Sequence, residues 1–267
     1  MSSEALTQKI ASVFQSVGAT TLSFFEITGR LFLFMMNSVN HMLRPPYYPR
    51  LILRQMIDIG FYSLPVVGLT TLFAGMVMAL QSYSGFARFG AESAIPNVVV
   101  LSITRELGPV LAGLMIAGRI GAAMAAELGT MRVTEQIDAL QTLSTNPFKY
   151  LIAPRLIAGI TMLPLLVLVG DIIGVLGGYL VSVHTLGFNA ATYIQNTWNF
   201  LSFMDVFSGL VKAAAFGFIV ALMGCYHGYQ SKGGAQGVGA ATTNAVVTAS
   251  ILILVSDYLL TVAFFSQ

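Results

Sequence analysis

Five runs of about 20 apolar residues constrain this chain before anything else does. They cover residues 57–81, 107–126, 157–183, 207–228 and 245–265. Each is near the ~20 residues a helix needs to cross ~30 Å of hydrocarbon, with allowance for tilt. Composition points the same way: 56% of the residues are apolar and 9% charged, against about a quarter charged in a soluble domain. The expected class is an all-α integral membrane protein with one domain over residues 1–267. Residues 51–267 form its five-span region, and residues 1–50 a cytoplasmic or interfacial N-terminal segment.

The rest of the composition narrows the function by exclusion. A net charge of +2 argues against a nucleic-acid partner. The single cysteine, Cys225, rules out an intrachain disulfide and a CxxC metal site. Met1-Ser2-Ser3-Glu4 has neither a basic start nor a cleavable apolar core, so no signal peptide is expected. His41, His184 and His227 form no HExxH pair, and no serine or aspartate sits in an intramembrane-protease motif. The glycine-rich segment 231–239 contains no Gly-Lys-Ser/Thr and is not a phosphate-binding loop. It is predicted to be a flexible connection, with Gly237 and Gly239 preceding the fifth run.

Residues 5–36 mix aromatic and aliphatic positions with Lys9, Glu26 and Arg30. Glu26 and Arg30, four apart, can pair on one helical face. The apolar run after Arg30 is too short to span, so an amphipathic helix in the interface is expected. Arg44-Pro45-Pro46 ends it. Lysine and arginine then set the orientation. Lys9, Arg30, Arg44, Arg50, Arg54, Arg132, Lys149, Arg155 and Lys232 fall on one side, and only Arg88 lies in a loop on the other. The N-terminus is predicted to be cytoplasmic and the C-terminus outside.

The second run carries the densest information. It opens with Arg105-Glu106-Leu107-Gly108-Pro109-Val110 and closes with Glu127-Leu128-Gly129-Thr130-Met131-Arg132. Between them Gly113, Ala117, Gly121, Ala125 and Gly129 recur every fourth residue. On a helix they form one small-residue stripe that lets another helix approach closely in lipid. Arg105 and Glu106 fall at the outer end of this run, and Lys212 in the fourth run lies at comparable depth. They form either a structural ion pair between Lys212 and Glu106 or a polar collar on an outward-opening cavity. Asp171 and Asp257 are also intramembrane. Structural hydrogen bonding is the expected role, and a proton-coupled carrier built on these two acids is the rival reading. Five spans do not divide into two equal inverted halves, the usual carrier design. Arg119, Glu127 and Arg132 descend toward the cytoplasm, where Glu127 and Arg132 are expected to share a charged cluster. Residues 134–143 should form a short amphipathic helix with Ile137, Leu140 and Leu143 on one face. It is either a surface helix or one that docks in a groove of a partner.

These motifs, with Ala117-Gly118-Arg119, Thr134-Glu135-Gln136, Asn146-Pro147, Pro154-Arg155 and Leu163-Pro164-Leu165, closely resemble the MlaE permease family. That family is the membrane subunit of bacterial ABC systems that move phospholipids between inner and outer membranes. The similarity runs from about residue 50 to the C-terminus. It implies an inner-membrane permease that maintains outer-membrane lipid asymmetry, working as a homodimer. It also implies a cytoplasmic ATPase that binds ATP and Mg, and a periplasmic lipid-binding subunit with an MCE domain. This chain itself would hold no cofactor or metal and hydrolyse nothing. Arg132, Glu135, Gln136 and Asp138 would belong to the coupling helix on the ATPase. Arg105, Glu106 and Lys212 would lie beside a lipid cavity. Depth brings Met78, Leu80, Gln81 and Tyr83 of the first run to the same outer face, where they are expected to wall that cavity.

Overall fold

A computed structural model describes the backbone of residues 3–265, and side chains from residue 18 onward apart from Thr20 and Phe24. The described residues contain helices and no strand. In lipid a helix satisfies its own backbone N–H and C=O groups, which is why apolar runs this long take that form.

A long helix α1 (Ser3–Leu43) comes first. It stops where expected, because Pro45 has no N–H and disfavours helical backbone in the residue before it. Glu26 and Arg30 pair on its surface at 2.6 Å. Its second half docks on the bundle through Phe34, whose ring meets Phe148, Tyr226 and Tyr229. Next come α2 (Pro49–Ile59) and α3 (Leu64–Phe86), joined by a tight turn over Phe61–Ser63. Pro65 occupies the first turn of α3, where its N–H would have had no intrahelical partner.

The second apolar segment is one interrupted helix over Glu92–Val133. It runs as α4 (Ile95–Ser102), a wide π turn at Ile103–Leu107, α5 (Gly108–Ile116), a second π turn at Ala117–Gly121, and α6 (Ala122–Val133). A short α7 (Gln136–Thr142) follows, then α8 (Ala153–His184), α9 (Ala190–Phe200), α10 (Phe203–Tyr229) and α11 (Gly234–Phe265). Among the described residues five segments are long and apolar enough to cross a membrane: Pro49–Phe89, Glu92–Val133, Phe148–His184, Phe203–Tyr229 and Gly234–Phe265. The chain is an all-α, multi-pass membrane protein, with α7 at one end of the bundle and α9 at the other.

The polar segment after α8 forms a helix of its own. Asn189 accepts the Thr192 N–H at 3.1 Å and caps α9. The connection before the fifth span is much shorter than 231–239. Gly233 and Gly234, at φ of 88° and 66°, make the turn. Gly237 and Gly239 already lie inside α11.

Helix α8 is the centre of the bundle, packed on α3 and α10, while α10 also packs on α6 and α11. Glycine permits these crossings. A Cβ on Gly75 would strike the Gly174 carbonyl, and one on Gly217 the Gly159 carbonyl. The small-residue stripe of the second span faces α10 and α11 of the same chain. Gly113 lies against Phe216 and Ile253, Gly121 against Val220, and Gly129 against Val238 and Ser231, with Ala117 and Ala125 wholly buried between them.

Candidate functional site

Pro109 explains the local geometry at the head of the second span. In a regular helix its N–H would serve the Arg105 carbonyl, but proline has none. The Gly108 N–H reaches back to Ile103 instead, widening the turn into a π bulge, a form frequent at functional sites. The Arg105 carbonyl is then served from another helix, by Lys212 Nζ at 3.0 Å.

Lys212 is the hub. Its side chain has no exposed surface, and four oxygens lie within 3.0 Å of its ammonium. They belong to the Arg105 carbonyl, Glu106 at 2.6 Å, Thr261 at 2.7 Å and Asp257 at 2.9 Å. Asp257 and Thr261 both belong to α11, so that helix is tied to Lys212 at two points. A buried cation is tolerable only when paired and hydrogen-bonded, and this one is saturated.

Arg105 points the other way. Its Nε donates to Asp205 at 2.7 Å, and its guanidinium carbon stands 4.2 Å from the centre of the Phe265 ring. Asp205 has two tasks. Its second oxygen accepts the Ser202 N–H at 2.9 Å, completing a capping box that starts α10. Arg105 remains 33% exposed whereas Asp205 is 2% exposed. The two cations and three carboxylates of the cluster sum to a formal charge of −1 when all are ionised.

The ion pair of Lys212 with Glu106, one of the two alternatives open from the sequence, is present. Sequence reasoning missed Asp205 and Thr261, and placed Asp257 apart from the cluster it completes. Depth alone could have suggested Thr261. Asp205 gave a signal in Ser202-Phe203-Met204-Asp205, the pattern of a capping box. Asp171 stands apart, 5% exposed.

The residues of the first span divide. Met78 and Tyr83 pack on the small core of Ala79, Ile95, Val99 and Ile103, with the Tyr83 and Phe188 rings 6.1 Å apart. Leu80 and Gln81 are exposed on α3. A cavity of about 610 Å³ beside α9 is lined by none of these four, nor by Arg105, Glu106 or Lys212.

At the opposite end the charges pair differently from expectation. Glu127 and Arg132 do not cluster: Glu127 binds the buried Arg155 at 2.7 Å, and Arg132 binds Asp138 at 2.6 Å. Arg119 donates to the Ser63 hydroxyl at 2.5 Å. In α7, Ile137 is buried and Leu140 packs beside it, but Leu143 is 75% exposed and does not share their face. The apolar face of α7 therefore rests on this chain's own bundle. Glu135, Gln136 and Asp138 are exposed on its outer surface, with Glu135 in the left-handed region at φ 60°.

Comparison with known proteins places this arrangement. A family model described as Permease MlaE matches residues 52–263. A probable ABC transporter permease protein of Rickettsia felis is 59% identical over 96% of this chain and 99% of its own length. One from Synechocystis is 42% identical over 88% of this chain and 87% of its own length. The intermembrane phospholipid transport system permease protein MlaE of Haemophilus influenzae is 34% identical over 96% of this chain and 98% of its own length. The five-span bundle with its π-bulged second span and buried lysine belongs to the MlaE permease family, as a membrane permease subunit.

Proposed function

We propose that this chain is the inner-membrane permease of an ABC system that moves phospholipid between membranes. The name of the Haemophilus relative supports the substrate, and the probable ABC permease names of nearer relatives support a separate ATPase. In this reading the chain binds no nucleotide. A cytoplasmic ATPase holds ATP and Mg, two permease copies form the pathway, and an MCE-domain subunit meets the periplasmic end. The lysine and arginine distribution supports a cytoplasmic N-terminus and a periplasmic C-terminus.

One observation carries the site assignment: Lys212 is saturated and unexposed while Arg105, held by Asp205, keeps a third of its surface open. A lipid phosphate therefore meets Arg105, whose planar donors suit a phosphate. Lys212, Glu106 and Asp257 act behind it, fixing the bulged turn that carries Arg105. Exposed Leu80 and Gln81 line the acyl side of the pathway, with Met78 and Tyr83 backing them from the core. The polar outer surface of α7, with Arg132, Glu135, Gln136 and Asp138, is the ATPase contact. Co-purification tests the whole scheme. The tagged permease should bring down an ATPase and bound phospholipid. A permease that purifies alone, and transports lipid without ATP, would contradict it.

A further inference from the structure

The cavity of about 610 Å³ beside α9 belongs to neither the charged cluster nor the α7 surface. Its size is within the ~300–1,000 Å³ usual for ligand pockets. Leu168, Ile172, Val175 and Leu176 of α8 form one apolar wall, and Ile194 and Trp198 of α9 another. A single carboxyl interrupts them. Asp171 lines the cavity, is 5% exposed, and its Oδ1 is buried without a hydrogen-bond donor. That oxygen rests on Gly108, where a Cβ would collide with it. The two threonine hydroxyls of the lining are already committed, while the Tyr193 hydroxyl, which also lines the cavity, has no partner. Thr104 donates to the Val100 carbonyl at 2.8 Å and Thr197 to the Tyr193 carbonyl at 2.9 Å.

We propose that this cavity is a binding site for a hydroxyl-bearing neutral lipid, whose apolar body fills it and whose hydroxyl donates to Asp171. An ionisable group inside a span usually faces a partner or a functional cavity, and this carboxyl lines an apolar cavity with one oxygen packed unpartnered on Gly108. A ligand hydroxyl supplies the carboxyl with a donor. A hydroxyl costs far less to bury in apolar surroundings than an ammonium does, and the walls offer no second group to share a charge. The site is independent of the phospholipid reading, because Arg105 and Lys212 do not line it.

The test uses the full chain, purified in detergent, and a hexadecanol probe carrying a diazirine in its chain. Labelling should saturate and map to the α8 and α9 walls. Hexadecanol should compete about fivefold or more better than its methyl ether, the size of one buried hydrogen bond. Asp171→Leu should erase that preference, and Asp171→Asn, which keeps an acceptor oxygen, should retain it. Leu176→Trp, which fills the cavity, should suppress labelling even if Asp171→Leu does not fold. Labelling that neither saturates nor distinguishes alcohol from ether would mean bulk lipid in an apolar crevice and would overturn the site. Stronger competition by a phospholipid than by the alcohol would overturn the ligand class. Lipid transfer and ATPase rates are not the readout, so the site can fail while the transport reading stands.

Discussion

The Lys212 ammonium lies 2.6 Å from the Glu106 carboxylate, although the two residues are 106 positions apart and sit on different helices. Asp257 and Thr261 close the same group from α11, so one cation joins three of the five spans. Removing one partner of a buried charge set costs about 3–5 kcal/mol. Lys212→Met leaves Glu106 and Asp257 facing each other, with Glu106 38% exposed and so partly rescued by solvent. The expected loss is at the lower end of that range, read as a fall in unfolding temperature of the purified protein. Lys212→Met combined with Glu106→Gln and Asp257→Asn should recover much of it, since no uncompensated charge remains. Equal destabilisation of single and triple variants would show that packing, not charge, is what Lys212 contributes.

Helix contact gives a second prediction. Gly217→Ala drives a methyl group into the Gly159 carbonyl, and Gly75→Ala drives one into that of Gly174. Overpacking of this kind costs about 1–3 kcal/mol, and backbone cannot move aside as a side chain can. Gly118→Ala meets nothing within 4 Å and should be neutral. Gly121→Ala should also be mild, because its added methyl would meet only the Val220 side chain at 3.4 Å. Thermal unfolding of the four variants orders them, and a neutral Gly217→Ala would refute the close crossing of α8 and α10.

The surface of α7 gives a third. Ile137 is fully buried in this chain, so an ATPase docked on α7 would meet its polar side. Glu135→Arg with Asp138→Arg should weaken co-purification of the ATPase and lower the ATPase rate of the complex. The rate of the isolated ATPase should not change. Ile137→Ala should instead lower permease stability by about 2–5 kcal/mol, as buried large-to-small changes do. Unchanged co-purification in the double charge reversal would remove α7 from the interface.

Much of this architecture was legible in the sequence because lipid imposes a coarse rule: length and apolarity reveal a span. Depth also brought Lys212 and Glu106 to one level, though it left open whether they pair or line a cavity. What stayed hidden depends on three-dimensional contact. Nothing in Gly75 or Gly174 distinguishes two glycines in backbone contact from Gly118, which touches nothing. Ile137 and Leu143 look alike in the sequence, but α7 ends at Thr142, before Leu143, and only Ile137 reaches the bundle. Asp205 sits at the mouth of a span and looked like a loop residue. Its second role needs Arg105, 100 positions away. Helix α9, with five polar residues in Thr192, Gln195, Asn196, Thr197 and Asn199, carries too weak a pattern to separate it from a loop.

The most direct test of the account is ATP-driven transfer of fluorescent phospholipid between vesicles by the reconstituted permease–ATPase complex, comparing wild type with Arg105→Ala. Asp205 keeps its Ser202 N–H bond in this variant, so α10 stays capped, but its buried carboxylate loses its cation; the comparison therefore includes Arg105→Ala with Asp205→Asn, which leaves no uncompensated buried charge. If Arg105 meets the lipid phosphate, transfer should fall roughly tenfold or more, the scale of one charge-assisted contact. Arg105→Lys should recover part of it, and Lys232→Ala at the far end should change little. A wild-type transfer rate in Arg105→Ala, with complex assembled and ATPase active, would contradict the central claim.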